Sequence, residues 1–183
     1  MKLKFNEVVQ SLEKQGLTFR RYSVSTEGKY TPEDAIWNYK DALVHIPYIH
    51  PLVQNVPILN HKDSLASVFV QKIFGLKFPM VVFDYEAKPF TQTAITTLFF
   101  FVLVVENVCE EIRPATTRIT TFYHIGANRL FRWFTPIVGW ILMRNYKSLT
   151  STDIPLRERR GQLRSWGYGF KVSDYLTTLI TGR

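Results

Sequence analysis

The sequence contains a single cysteine, Cys109, and this scarcity excludes several kinds of site. One thiol cannot close a disulfide within the chain, and it cannot supply the cysteines of a structural zinc site or an iron–sulfur cluster. Cys109 also lies in an apolar run typical of a strand, where thiols are commonly buried. We therefore do not expect it to act as a nucleophile.

Long apolar runs are missing as well. The longest, Leu98–Val105 and Trp133–Met143, fall short of the ~20 residues that a membrane-spanning helix needs. The first residues, MKLKFNEVVQSLEKQG, are charged and amphipathic, which is not the pattern of a signal peptide. We expect a cytoplasmic protein, with peripheral contact to a membrane as a further option.

The sequence has no P-loop, no G-x-G-x-x-G, no G-x-S-x-G and no H-E-x-x-H motif. It also has no internal repeat and no Gly/Ser linker, and its 183 residues suit one domain with a sizeable core. We assign residues 1–17 to an N-terminal helix, 18–170 to the main domain and 171–183 to a C-terminal tail.

Basic charge is concentrated near the C-terminus. Of the net charge of +8, most belongs to residues 129–183, where ten Lys/Arg face three acidic residues. Because Trp133, Phe134 and Trp140 lie among these basic residues, residues 129–164 are predicted to contact an anionic membrane surface. A solvated helix face is the alternative. We do not expect nucleic-acid binding, because no helix-turn-helix, zinc-finger or RNA-stacking motif accompanies the charge.

The order of helical and strand patterns predicts an α+β fold. A block of strands is followed by one long helical segment, which favours an antiparallel sheet, and we expect that sheet to curve around the helix. Aromatic residues make up 15% of the chain and fill either a bulky core or the wall of a pocket. The predicted elements are helices at 5–15, from Thr31, and from Leu130 to Trp166, and strands at 18–27, 53–59, 65–75, 78–86, 93–105 and 116–125.

Three details of this prediction depend on local pattern alone. The long helix should turn an apolar stripe toward the sheet, and Pro136 and Pro155 should kink or interrupt it. A turn is predicted around Glu110-Glu111 and Arg113-Pro114. The predicted stripe consists of Leu130, Phe134, Ile137, Ile141, Leu149, Leu156 and Leu163.

A set of short motifs resembles the START-like, polyketide-cyclase-like helix-grip superfamily, also called SRPBCC. The resemblance covers about residues 18–170 and implies a curved antiparallel sheet with a helix across a hydrophobic cavity. It further implies binding of a lipid, quinone, pigment or polyketide and, less often, cyclase or hydrolase activity. The motifs are Pro32…Trp37…Asp41…His50-Pro51-Leu52-Val53…Val56…Leu59, then Gly75-Leu-Lys-Phe-Pro…Asp84-Tyr-Glu…Pro89, and Asp153-Ile-Pro-Leu-Arg-Glu-Arg-Arg…Leu163…Gly169-Phe170.

One segment is also similar to the iron-binding segment of Rieske-type oxygenases, whose catalytic domain has this fold. It runs from Asp41 through His45 to His50, although one residue too many separates Asp41 from His45. Two imidazoles and a carboxylate can bind non-haem iron with open positions, and Asp153 is the candidate third ligand. With one cysteine no Rieske cluster is possible, so electrons would have to come from another protein.

We therefore predict a non-enzymatic protein that binds a hydrophobic small molecule without a cofactor. The alternative is an enzyme on the same scaffold, cyclase-like or dependent on iron. Asp84 and Glu86 alternate with apolar residues and are expected to face solvent; facing a cavity, either could act as an acid or base. The predicted ligand-binding residues are Trp37, Tyr48, His50, Phe83, Tyr85, Phe99, Phe101, Tyr123, Phe134, Val138 and Ile141.

Overall fold

The computed structural model describes residues 5–40, 53–61, 64–73 and 76–167. A short 3-10 turn, Arg132–Phe134, leads into the last helix. The helices are α1 (Phe5–Lys14), α2 (Pro32–Lys40) and α3 (Thr135–Ser165), and the strands are β1 (Thr18–Gly28), β2 (Val53–His61), β3 (Ser64–Ile73), β4 (Leu76–Lys88), β5 (Thr91–Leu98), β6 (Phe101–Arg113) and β7 (Thr116–Ala127).

The seven strands form one antiparallel sheet in the order β1-β7-β6-β5-β4-β3-β2. Consecutive strands from β2 to β7 are neighbours, and β1 closes the far edge beside β7. The sheet curves around α3, so the predicted α+β helix-grip architecture is confirmed. Six of the seven strands follow α2, as the block of strand patterns predicted.

Both α2 and α3 cover the same face of the sheet, which we call its helix side. Alternation along β6 places Leu103, Asn107 and Cys109 on this side, all buried. The opposite face is the outer side. The helix side carries two separate apolar clusters: one lies under the first half of α3 and includes Leu103 and Tyr123, and the other lies under α2 and includes Tyr30 and Ile119.

Helix α2 begins as its sequence predicts. The Asp34 amide donates to the Thr31 hydroxyl oxygen, and the Thr31 amide donates to Oδ2 of Asp34 at 3.5 Å, so the two side chains cap the helix reciprocally. The Thr31 hydroxyl also donates to the Asp34 carboxylate at 2.9 Å. Ala35 and Ile36 are buried and Tyr39 is partly buried, so this side of α2 packs against the sheet. Gly16, at φ +90°, follows the end of α1, as expected of a helix-ending glycine.

The predicted single strand at 93–105 is wrong, because a hairpin turn at Phe99-Phe100 divides it into β5 and β6. Phe99 adopts a left-handed backbone with φ +54°, a conformation that sequence rules reserve for Gly, Asn or Asp. The apolar run therefore hides the turn. Glu110 and Glu111, predicted in a turn, belong to β6, and the actual turn is Pro114-Ala115.

The predicted inward stripe of the long helix is wrong at its N-terminal end, whereas Ile141, Leu156 and Leu163 are partly buried. Helix α3 begins at Thr135, with Pro136 in its first turn, and it continues through Pro155. Leu130, Phe134 and Ile137 are exposed. The buried stripe repeats with the same helical period but carries smaller and charged side chains, so apolar periodicity selected the other face. It consists of Thr135, Gly139, Tyr146, Thr150, Asp153, Arg157 and Arg160.

Candidate functional site

A row of hydrogen-bonded polar side chains crosses the helix side of four adjacent strands. Gln92 donates from Nε2 to Oδ1 of Asp84, and Asn107 donates from Nδ2 to Oε1 of Gln92 at 3.0 Å. Thr121 donates from its hydroxyl to Oδ1 of Asn107 at 2.7 Å. The row therefore runs from β4 through β5 and β6 to β7. Because Gln92, Asn107 and Thr121 are buried, their side chains depend on one another for these bonds.

Asp84 ends this row and is the one ionisable group in it. Removal of its carboxyl from bulk water raises the pKa of Asp84 to about 7, although the hydrogen bond from Gln92 favours the charged form. A carboxyl with this pKa exchanges protons near neutral pH. The expectation that Asp84 faces solvent is wrong, because its strand turns it to the helix side, where it is partly buried.

The helix side of β4 and β5 is not fully covered by α3. Helix α3 lies mainly against β1, β7 and α2. Asp84 on β4, Ala94 and Thr96 on β5, and Val105 on β6 face the same side as α3, yet each stays partly accessible. Water therefore reaches the interior beside the polar row, where apolar and polar side chains alternate along the strands.

A buried cation lies at the α2 end of the interior. Arg157 of α3 is almost completely buried, and its Nη2 lies 3.2 Å from Oδ2 of Asp153. Its guanidinium also lies 5.4 Å from the ring centre of Tyr39 and 6.0 Å from that of Tyr30. Burial raises the pKa of Tyr30, whereas the charge of Arg157 opposes that rise. This end of the interior thus holds an arginine–aspartate ion pair beside two phenol rings.

Several predicted ligand-binding residues lie on the helix side or on the helices that cover it. Phe101 and Tyr123 belong to the cluster under α3, and Val138 packs against that cluster. Trp37 is buried in α2, with the guanidinium of Arg160 lying 4.4 Å from its ring centre. Ile141 of α3 is partly buried. Their assignment as ligand contacts stays a prediction.

Four other predicted ligand-binding residues point elsewhere. Phe83 and Tyr85 alternate with Asp84 along β4 and therefore lie on the outer side, where Phe83 is exposed. Phe99 is at the tip of the β5–β6 hairpin and Phe134 precedes α3, and both are exposed. The correction has one physical cause: bulk and hydrophobicity do not determine which side of a strand or helix faces inward.

The predicted metal ligands are only partly described. His45 and His50, together with the predicted ligand contact Tyr48, lie outside the described residues. Asp153 is described, and its carboxylate is bound to the guanidinium of Arg157. That contact involves Oδ2 alone, and metal-ligating carboxylates are themselves often hydrogen-bonded, so the assignment of Asp153 as an iron ligand stays a prediction.

Sequence reasoning missed Gln92, Asn107 and Thr121. Each is a polar residue within a strand and carries no motif. The hydrogen bonds join residues 8, 15 and 14 positions apart, so only the strand register brings them together. Polar residues at matching positions of neighbouring, otherwise apolar strands are the one signal that could have pointed to the row.

In sequence comparisons no protein-family model and no curated protein matches the chain. Solved structures do match. A START superfamily protein from Mycobacterium smegmatis superimposes with a TM-score of 0.60 at 11% identity, covering 78% of this chain and 97% of that one. The chain has the START-like helix-grip fold. At this identity the likeness concerns the fold alone.

The helix-grip fold is shared by two further matches, a synthase and a monooxygenase. Norcoclaurine synthase from Thalictrum flavum, in complex with dopamine and hydroxybenzaldehyde, matches with a TM-score of 0.64 at 8% identity, covering 79% of this chain and 90% of its own. Dicamba monooxygenase bound to 3,6-dichlorosalicylic acid matches with a TM-score of 0.52 at 12% identity, over 81% of this chain and 51% of its own. The helix-grip fold thus accompanies two different enzymatic activities in these matches.

Proposed function

We propose that this protein binds a hydrophobic small molecule, of the lipid, quinone, pigment or polyketide class, between the helix side of its sheet and α3. The observation that carries this proposal is the accessible stretch of helix side at β4 and β5 next to the polar row. Apolar neighbours such as Ala94 and Val105 favour an apolar ligand, and Asp84 offers it one polar contact.

The polar row also argues against a purely structural interior. Polar side chains buried among apolar ones cost stability unless they are fully hydrogen-bonded, and apolar residues would close the same space at lower cost. A row that ends in Asp84, a residue only partly buried on the uncovered part of the helix side, is instead suited to orienting a bound molecule. The synthase relative, solved with dopamine and hydroxybenzaldehyde, supports the use of this fold for small aromatic ligands.

The proposal can be tested with the uncharged fluorescent probe N-phenyl-1-naphthylamine. We expect saturable binding of about one probe per chain with micromolar affinity. Thr96→Phe should weaken this binding by about tenfold or more, because its ring would occupy the accessible space on the helix side. The matched control is Thr97→Phe, which adds the same ring one residue later on the exposed outer side of the strand.

The outcomes separate clearly. Weak binding in the Thr96 variant with normal binding in the Thr97 variant supports the proposal. Probe binding that does not saturate, or that both variants weaken equally, contradicts it. Native mass spectrometry of the purified wild-type protein gives an independent check, since we expect an apolar molecule to accompany the chain.

Asp84 favours a second candidate function, an enzyme on the same scaffold. With a pKa raised to about 7 by burial, its carboxyl is suited to donating a proton to a bound molecule or accepting one from it. In an enzyme, Asp84→Asn should retain an unconverted substrate, so the small molecules extracted from the variant and from wild type would differ. In a binding protein they would be the same. About one iron per chain in elemental analysis would favour the metal-dependent form at His45 and His50.

A further inference from the structure

The N-terminal end of α3 and the tip of the β5–β6 hairpin together carry an exposed aromatic surface. Phe100 of the hairpin stacks on Phe131, with ring centres 4.1 Å apart, and this contact joins the hairpin to the segment that leads into α3. Trp133 is 67% exposed and Trp140 is 56% exposed. We name this surface the aromatic end; it consists of Phe99, Phe100, Trp133, Phe134, Ile137 and Trp140.

Such a surface is unusual for a protein that contacts only water. Apolar side chains at a surface usually occur singly, and a contiguous group of large ones indicates that something covers it. Phe99 sharpens this point, because it is 65% exposed and holds a left-handed backbone with φ +54°. Gly or Asn would adopt that conformation with less strain. The Phe99 ring packs edge-on against Phe78, with ring centres 5.0 Å apart, and still leaves most of its surface exposed.

The sequence that carries Trp133, Phe134, Ile137 and Trp140 is basic. No Asp or Glu occurs from residue 112 to residue 152, whereas this stretch holds six Lys/Arg. The guanidinium of Arg132 lies 4.9 Å from the ring centre of Trp133, and that of Arg144 lies 5.5 Å from that of Trp140. Each of the two exposed indole rings therefore has an arginine guanidinium group beside it, on the same surface.

We propose that the aromatic end docks the protein onto an anionic lipid membrane. Indole rings suit the boundary between head groups and acyl chains, and adjacent arginines attract anionic head groups. The docking is peripheral, since among residues 5–40, 53–61, 64–73 and 76–167 no helix combines the length and apolarity needed to cross a bilayer.

The docking surface includes fewer residues than the range 129–164 that was predicted from the charge of the sequence. Arg157 and Arg160 lie within the predicted membrane-contacting range 129–164, yet both are buried and bound to Asp153 and Asp34. They cannot reach a membrane surface. Docking through residues 129–144 and the hairpin tip uses arginines that remain beside exposed rings.

The test is sedimentation with sucrose-loaded vesicles in 0.1 M salt. Wild-type protein should bind vesicles of phosphatidylcholine with 30% phosphatidylglycerol and dissociate in 0.5 M salt, because screening weakens the attraction of arginines to lipid head groups. Trp133→Ser with Trp140→Ser should lower vesicle affinity at least about tenfold. Arg132→Gln with Arg144→Gln should do the same.

Two matched controls lie at the other end of α3. Trp166 is 70% exposed and is 26 residues beyond Trp140, about 40 Å along a helix. Trp166→Ser and Arg159→Gln should bind vesicles like wild type. All changed side chains are exposed except Arg132, so thermal unfolding should be nearly unchanged, and this is measured for each variant.

Three results would overturn the proposal. One is equal binding to vesicles of phosphatidylcholine alone, and another is wild-type affinity in the double tryptophan variant. The third is a lipid-free dimer that the double tryptophan variant dissociates, without vesicle binding by either protein, since a second copy would then be the occupant. The proposal does not depend on the small-molecule site: Thr96→Phe should bind vesicles normally.

Discussion

The buried carboxylate of Asp34 in α2 lies 3.2 Å from Nε of Arg160 in α3, and this ion pair ties the two helices together. Arg164 adds a second contact, donating from Nη1 to the same oxygen at 3.0 Å. Asp34 also caps its own helix through Thr31. One carboxylate therefore serves both a helix start and a helix–helix contact.

We expect Asp34→Ala to lower the free energy of unfolding by about 3–5 kcal/mol, because it leaves buried Arg160 without this carboxylate. Urea denaturation measures the change. The matched control is Glu27→Ala. Glu27 pairs with Arg118 at 2.7 Å, but the side chains are 46% and 45% exposed, so its loss should cost less than about 1 kcal/mol. Similar costs for the two variants would contradict the importance of the buried pair.

Asp84 should make stability depend on pH in a definite direction. Its pKa is raised to about 7 in the folded protein, so between about pH 4 and pH 7 the folded state holds a proton that the unfolded chain has released. The contribution of Asp84 to stability is therefore greatest below pH 4, falls as pH rises to about 7, and stays low above it.

Asp84→Asn should be more stable than wild type above pH 7, by on the order of 2 kcal/mol, and this difference should vanish toward pH 4. Burial, with a smaller effect of Arg21, lowers the pKa of His124 to about 4. That contribution is common to both proteins and cancels in the difference. Urea denaturation from pH 4 to pH 8 gives the comparison, and a difference independent of pH would show that Asp84 titrates normally.

Replacing each of two glycines of α3 by alanine should change the stability of the protein in opposite directions. A Cβ atom at Gly139 would lie 2.8 Å from ring carbons of Tyr22, so Gly139→Ala should destabilise the fold by about 1–3 kcal/mol. At Gly161 the nearest atoms would be 3.5 Å away or more. Gly161→Ala should therefore stabilise the helix by about 0.5–1 kcal/mol. Thermal unfolding of both variants checks the signs; a stabilising shift from Gly139→Ala would mean that α3 does not approach β1 as closely as described.

Cys109 should be unreactive in the folded protein. Burial raises the pKa of its thiol to about 12, despite an opposing effect of Arg157. We expect the reaction with dithionitrobenzoate at pH 8 to be at least about a hundredfold slower in native protein than in 6 M guanidinium. Rapid labelling without denaturant would show that β6 opens readily at this position.

Much of the fold could be predicted because strands and helix starts have local signals. Alternation marked β1 and β7, and the Thr31-Pro32 pair marked the start of α2. The hairpin at Phe99-Phe100 was missed because its turn uses a phenylalanine where most turns use glycine or asparagine. The strand pattern therefore continued through it.

The candidate site was harder to predict because it depends on pairing between strands. Asp84 stood out as an acid in an apolar strand, yet its facing depended on the register of β4 against β5. Gln92 and Asn107 become neighbours only once β5 and β6 are aligned. No spacing in the sequence encodes that alignment, since register is set by the whole sheet.

The ion pairs of Asp34 with Arg160 and Arg164 determine the orientation of α3 about its own axis. In the first half of α3, Val138 and Leu142 pack against the core, and Ile137 and Trp140 are exposed. Hydrophobicity alone would therefore permit either orientation about the helix axis. The ion pairs in the second half of α3 allow only one orientation about the helix axis. In that orientation the more hydrophobic side of the first half, with Ile137 and Trp140, faces away from the protein. Weakening these ion pairs should allow α3 to rotate about its axis, which would move Trp133 and Trp140 toward the protein interior.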